Sequence, residues 1–110
     1  MIWQGDAASY ALRSLGHCSS PPLALNVTGA EVLRIRDVAE AYGRRFGREP
    51  VFAGVEGPLA LLGDTSRCRS LLGEARVPFD RLFEWVAHWV ESGGRSLGKP
   101  TKFERADGRF

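Results

Sequence analysis

The sequence predicts a small α/β domain, in which three to four helices pack on a partial sheet of short strands. Two short apolar runs, residues 24–27 and residues 50–53, lie on either side of an amphipathic stretch. This order of strand, helix and returning strand is typical of an α/β layer, with the helix lying on the sheet. Residues 1–4 resemble the end of a further strand.

The central helix is predicted from the spacing of its apolar residues. After Arg34, apolar side chains recur with the 3.6-residue period of an α-helix, at Ile35, Val38, Ala39, Tyr42 and Phe46. Charged residues fill the opposite face. Gly47 follows directly, and glycine most easily adopts the left-handed conformation that ends many helices.

Two shorter helices are predicted from capping residues. Asp6 is a suitable N-cap for a helix that follows it, because its carboxylate can accept hydrogen bonds from the first-turn amides. Gly16 is expected to close that helix. Asp64 or Thr65 is expected to cap a short helix that Gly73 ends.

The last helix is predicted over Phe79–Glu91 and is apolar around more than half of its circumference. One stripe contains Phe79, Leu82, Val86, Trp89 and Val90. Phe83 and Trp85 lie off this stripe. Such a helix is either enclosed on both sides or leaves a face for a partner. Phe83 and Trp85 are therefore the candidates for a domain or dimer interface.

Length and composition indicate one ordinary globular domain. A chain of 110 residues can bury a modest core. We assign residues 1–94 to this domain and residues 95–110 to an extended polar tail. The net charge of +2 is too small to indicate a nucleic-acid partner by itself. Because residues 1–4 already resemble part of a strand, we expect the chain to have lost a preceding part.

The cysteines and the apolar runs point to the cytoplasm. Cys18 and Cys68 are isolated and far apart, which differs from a disulfide framework and suggests reduced thiols. The first residues lack the pattern of a signal peptide, and no apolar run approaches the length of a membrane span. We therefore expect a cytoplasmic protein that does not cross a membrane.

The sequence contains no self-sufficient set of catalytic residues. His17 and His88 have no cysteine or carboxylate near them at the spacing of metal ligands, so we predict no metal site. No glycine fingerprint for a dinucleotide or a nucleoside triphosphate occurs, and Ser19-Ser20 lacks a nucleophile elbow. We predict no catalytic and no cofactor-binding residue in this chain.

A helix-turn-helix was considered because residues 34–43 resemble the first helix and turn of that motif. The motif requires a second helix within three or four residues. Here Pro50 and an apolar pair follow instead, and the acids Asp37 and Glu40 would repel phosphates. A DNA-binding protein therefore stays a weaker alternative.

Four segments of the chain match, in order, segments of one enzyme family. Residues 2–6, Ile-Trp-Gln-Gly-Asp, are similar to a passage from strand to helix in which an aspartate opens the helix. Residues 25–29, Leu-Asn-Val-Thr-Gly, and residues 36–39, Arg-Asp-Val-Ala, resemble the family's segment N-V-x-G … S-V-R-E-V-A.

The other two segments complete the match. Residues 64–67 with Leu72-Gly73 resemble D-x-S-K … L-G, and residues 77–79 with Trp89 resemble the family's closing helix. In this order the segments resemble the C-terminal part of an extended short-chain dehydrogenase/reductase of the NAD-dependent epimerase/dehydratase type. The resemblance covers nearly the whole chain.

The parts of the family that carry the chemistry have no counterpart here. The family binds NAD or NADP on an N-terminal Rossmann domain with a glycine-rich turn, which this sequence lacks. Its catalytic Tyr-x-x-x-Lys pair is missing too, because Tyr10 is followed at that distance by Ser14, and Tyr42 by Phe46. The resemblance therefore implies no catalytic residue and no cofactor in this chain.

The resemblance implies a substrate-binding lobe that closes over a nicotinamide held elsewhere. By position, Trp3 and Gln4 follow the strand end nearest the cleft and are the candidates for substrate contact, although Trp3 also suits a core position. The expected partner is the missing nucleotide-binding domain, or a second copy through the face that this domain would cover. The alternative is a free-standing, self-associating interaction module.

Overall fold

The computed structural model describes residues 1–55, 57–58, 60 and 62–99, and these residues form helices connected by irregular chain. Four α-helices occur in this order: α1 (Gln4–Ser14), α2 (Ile35–Phe46), α3 (Ser66–Leu72) and α4 (Phe79–Glu91). A turn of 3-10 helix, Leu15–His17, extends α1. Residues 100–110 lie outside the described part, and with them most of the predicted polar tail.

The prediction of an α/β fold is wrong, because no strand forms among the described residues. A strand is stable only when a neighbour supplies the hydrogen bonds of a ladder. Residues 24–27 use a side chain instead: the Asn26 Nδ2 donates to the Asp64 carbonyl at 3.0 Å. In residues 50–53, Val51 is 94% exposed. These apolar runs are too short to distinguish a strand from irregular chain.

The predicted bounds of α4 and the predicted end of α2 are confirmed. The helix α4 begins and ends at the predicted residues, and α2 ends directly before Gly47. Gly47 has a φ of 63° and donates its N–H to the Gly43 carbonyl, so the left-handed end of α2 is also confirmed. Gly73 ends α3 as predicted, but its φ of 77° and ψ of −176° lie outside the left-handed helical region.

The predicted N-cap of α1 is wrong, whereas α3 has as its N-cap residue Thr65, one of the two predicted residues, which makes no side-chain cap bond. The helix α1 begins before Asp6, and its N-cap residue Trp3 makes no side-chain cap bond. Gly16 lies inside the 3-10 turn and does not close the helix. At α3, the Asp64 Oδ1 accepts the Ser66 N–H at 2.9 Å, and this hydrogen bond lowers the pKa of Asp64.

Asp6 has a tertiary role in place of the capping role. Its side chain is 4% exposed, and its Oδ2 accepts the Val77 N–H at 2.9 Å. This bond joins the first turn of α1 to the segment that leads into α4. A buried carboxylate needs such partners, because removing a charge from water is costly.

The main core lies between α1 and α3 and is small. Tyr10, Cys68 and Leu72 are each at most 3% exposed and pack together. The Tyr10 hydroxyl donates to the Gly73 carbonyl at 2.8 Å, and burial raises the pKa of Tyr10. Ile2, Leu25 and Ala75 surround this cluster.

A second, aromatic cluster joins α2 to α4. The ring of Tyr42 stacks on Phe83 with centroids 4.3 Å apart, and on Phe46 at 5.7 Å. At the helix ends, an Arg45 guanidinium nitrogen lies 3.0 Å from Glu91 Oε2. Since both charged side chains are exposed, this ion pair contributes little to stability.

Candidate functional site

Trp3 lies where the chain enters α1, in contact with α4. Its indole packs over Gly5, and a Cβ added at Gly5 would overlap the ring. The indole also meets Trp85 in an edge-to-face arrangement, with ring centroids 5.5 Å apart. Gln4, the first residue of α1, is exposed. The fold therefore brings together Trp3 and Trp85, a substrate candidate and an interface candidate.

A cavity of about 140 Å³ opens beside Trp3. Residues 1–3, residues from the 29–33 and 74–79 segments, and Leu82 line it. Side chains such as Ile2, Leu33 and Phe79 make much of this lining apolar.

The two carboxylates at the cavity are already occupied by neighbours. The Glu31 Oε1 accepts the Phe79 N–H at 3.3 Å, at the start of α4. The Glu74 carboxylate accepts hydrogen bonds of 2.5–2.8 Å from the Arg69 guanidinium. These bonds lower the pKa of Glu74. The cavity is therefore a slot with a mixed polar and apolar lining, and both of its carboxylates already serve the fold.

The size of the cavity limits what it can hold. Sites for small molecules usually measure about 300–1,000 Å³, so a cavity of about 140 Å³ can accept only one group of a larger ligand. Enclosing a whole substrate would require a further wall from outside the described residues.

The interface candidates Phe83 and Trp85 occupy different environments. Phe83 is partly buried under the ring of Tyr42. Trp85 is 44% exposed and belongs to a continuous apolar face of α4, the α4 face, which contains Trp85, Val86, Trp89 and Val90. Three of these four residues were predicted to belong to a single apolar stripe. When a helix is apolar around most of its circumference, its sequence does not show which side packs against the rest of the chain.

A second exposed apolar surface lies on α1, whose apolar side the sequence shows without showing that it faces solvent. Four residues of the α1 region lie on one helical stripe, the α1 stripe: Ala8, Ala11, Leu12 and Leu15. Leu12 and Leu15 are 71% and 68% exposed, whereas Asp6 and Tyr10 face the core. The helix therefore presents its apolar side outwards, opposite to the usual pattern for a surface helix.

The described residues offer little for metal or nucleophilic chemistry. No group of three or more His, Cys, Asp and Glu side chains among them could hold a metal ion. Cys18 is an exposed free thiol and Cys68 a buried one. In the described part of the chain, no helix has the length and apolar character needed to cross a membrane.

No family model, curated protein or solved structure matches this chain. The resemblance to the epimerase/dehydratase family therefore remains a prediction from the four segments themselves. The structure adds to those segments a pair of tryptophans, a small cavity and two exposed apolar surfaces.

Proposed function

We propose that this chain is the substrate-binding lobe of an NAD(P)-dependent nucleotide-sugar epimerase/dehydratase-like oxidoreductase, and that it does not catalyse the reaction alone. The order of the four family-like segments, which covers nearly the whole chain, is the observation that carries this proposal. The lack of a glycine fingerprint and of a Tyr-x-x-x-Lys pair in the sequence supports the second part, because hydride transfer requires both a held nicotinamide and an acid–base group.

In this proposal Trp3 and Gln4 contact the substrate. Gln4 is exposed, and its amide can both donate and accept hydrogen bonds. Trp3 lines the cavity, so its indole offers an apolar surface beside a slot that accepts one small group. The rest of the substrate would lie against the nicotinamide-bearing domain. The small volume of the cavity supports such a shared site.

The proposed partner is a dinucleotide-binding domain that covers apolar surface of this lobe. The protein exposes 9326 Å², whereas a compact monomer of this length exposes about 6,000 Å². A compact domain of the other 96 residues would expose about 5,400 Å², and the fourteen undescribed residues about 2,200 Å² if they had the surface of an unfolded chain, so an excess of about 1,700 Å² would remain. Permanent interfaces cover about 1,000–2,500 Å² on each partner. The α4 face, which adjoins Trp3 through Trp85, is the proposed docking surface.

We also propose that the protein works in the cytoplasm. Cys18 and Cys68 are both free thiols. Free thiols, one of them exposed, suit a reducing compartment.

A titration followed by NMR tests the substrate proposal. UDP-glucose, GDP-mannose and dTDP-glucose are added separately to the full chain, and the indole N–H signals of the three tryptophans are recorded. We expect at least one of these nucleotide sugars to shift the Trp3 signal saturably, at millimolar concentration because part of the site is missing. Trp3→Phe should weaken this binding, whereas Trp89→Phe, at the far end of α4, should not. Absence of any saturable effect at Trp3 would contradict the proposal.

The alternative function is a self-associating interaction module, which the α1 stripe favours. This stripe and its exposed neighbour Gln4 carry no charge, and depletion of charge is typical of the centres of protein interfaces. Light scattering coupled to size-exclusion chromatography distinguishes the two functions. A concentration-independent dimer that Leu12→Gln dissociates would support the module, and a monomer would remove it.

A further inference from the structure

A second, larger depression lies along α2 and the chain that follows it. It measures about 620 Å³ and is open to solvent. Three arginines line it: Arg36 and Arg44 from α2, and Arg48 from the segment after the helix. We call it the arginine depression. It shares no lining residue with the cavity beside Trp3.

The arrangement of this depression depends on two glycines. A Cβ at Gly43 would lie 2.6 Å from the Arg48 carbonyl oxygen and 2.8 Å from the Pro50 Cδ, so only glycine allows residues 48–50 to lie directly on the helix. Gly47 reverses the chain with its φ of 63°. The Arg48 N–H then donates to the Gly43 carbonyl at 2.9 Å. Arg48 is thereby held beside the α2 arginines by backbone contacts.

Two of the arginines in the depression, Arg44 and Arg48, have no ion-pair partner within the described part of the chain. Glu40 and Glu49, which also line the depression, have none there either. The lining contains three arginines and two glutamates.

One wall of the depression is aromatic. The Arg36 guanidinium carbon lies 4.1 Å from the centre of the Phe52 ring, a cation–π distance. Phe52 is 44% exposed, so part of its ring is accessible to a ligand. The depression thus combines guanidinium groups with an apolar surface.

We propose that the arginine depression binds a small phosphate-bearing anion. Guanidinium groups present a planar set of donors that matches phosphate oxygens, and such charge-assisted hydrogen bonds are stronger than neutral ones. Arg44 and Arg48 hold the phosphate, and Phe52 contacts an apolar part of the ligand. Glu40 and Glu49 weaken the affinity by repulsion. The volume lies in the range of small-molecule sites, and this inference is independent of the proposed function.

The test titrates inorganic pyrophosphate into the full chain at low salt and follows the backbone amide signals of Gly43 and Gly47. We expect saturable shifts at these two glycines. Arg44→Gln and Arg48→Gln should each weaken binding about fivefold, since each removes a charged donor. Glu49→Gln should strengthen binding about threefold by removing a like charge.

The matched control is Arg81→Gln, which removes the same charge from α4 outside the depression. We expect it to change the affinity by less than about twofold, as screening limits distant surface charges. If Arg81→Gln weakens binding as much as Arg44→Gln, the anion is attracted only by net charge and the proposal fails. Shifts that stay linear in pyrophosphate, without saturation, would overturn it equally.

Discussion

At the scale of single residues, the tightest constraints come from contacts that the sequence could not show. Gly43 appears in the sequence as an ordinary glycine near the end of a helix, yet it permits the close approach of residues 48–50. Asp6 has the type and position of an N-cap, yet its carboxylate bonds to Val77, 71 residues away. Capping rules describe bonds within one helical turn, whereas Asp6 bonds to distant chain and Gly43 contacts the chain that folds back after the helix end.

Gly43→Ala should destabilise the protein by about 1–3 kcal/mol, because the new methyl group would collide with Arg48 and Pro50. Urea unfolding followed by circular dichroism measures this. Gly16→Ala is the control, as nothing lies within 4 Å of a Cβ there and its φ is not in the left-handed region. It should be neutral or stabilising by up to about 1 kcal/mol. Equal effects of the two substitutions would contradict the close approach at Gly43.

Asp6→Ala should lower the free energy of unfolding by about 1–3 kcal/mol, because the Val77 N–H would lose its acceptor. Asp6→Asn keeps an oxygen acceptor of similar shape and should recover part of this loss. The same urea experiment compares both variants. If Asp6→Ala left the stability unchanged, Asp6 would not hold α1 to the segment before α4.

Glu74 should make the stability of the folded protein depend measurably on pH in the acid range. The Arg69 guanidinium lowers the pKa of Glu74 below its ordinary value of 4.5. A carboxylate with a lowered folded pKa stabilises the fold above its unfolded pKa, and this stabilisation is lost as the pH falls through the folded pKa. Glu74→Gln should therefore reduce the fall in melting temperature below pH 4.5. The control Glu84→Gln should show the same fall in melting temperature as the wild type. An identical acid profile for Glu74→Gln and the wild type would show that the ion pair does not persist in solution.

At the scale of elements, the helices could be predicted and the sheet could not. The bounds of α4 and the end of α2 follow from apolar spacing and, for α2, from a terminal glycine, which are signals internal to a helix. A strand depends on a partner strand, which local sequence does not specify. For the same reason the strand end from which Trp3 was placed beside a cleft does not form among the described residues, and the contact of Trp3 with Trp85 could not be predicted.

The orientation of α1 is the least expected feature at this scale. Its apolar stripe faces solvent, and its inner side carries Tyr10 and the buried carboxylate of Asp6. The sequence shows which residues share a stripe, and the stripe alone does not say whether this chain or a partner covers it.

Leu12→Gln should therefore change the unfolding free energy by less than about 0.5 kcal/mol, since Leu12 is 71% exposed. Leu72→Ala is the contrasting variant. Leu72 is 2% exposed, and its truncation should cost about 2–5 kcal/mol. Thermal and urea unfolding of the two variants measure both values. A loss for Leu12→Gln close to that for Leu72→Ala would mean that the stripe is buried in solution.

At the scale of the whole molecule, this protein covers less of its own surface than a compact domain does. The radius of gyration is 16.5 Å, against about 13 Å for a compact domain of 100 residues. A lobe that is completed by a second domain is expected to expose much surface when alone. The large excess of exposed surface, the apolar α4 face and the small cavity beside Trp3 agree with this proposal. In the proposed function, the dinucleotide binds to that second domain.

Calorimetric titration of NAD+ and NADP+ into the purified chain tests most directly whether the dinucleotide binds outside this chain. The Arg44→Gln/Arg48→Gln double variant is used so that phosphate binding in the arginine depression, weakened at both guanidinium groups, contributes little heat. We expect no binding of either dinucleotide, because in the proposed function the residues that would hold it belong to another domain. Binding of NAD+ or NADP+ at micromolar concentration would contradict the account, since this chain would then contain its own dinucleotide site.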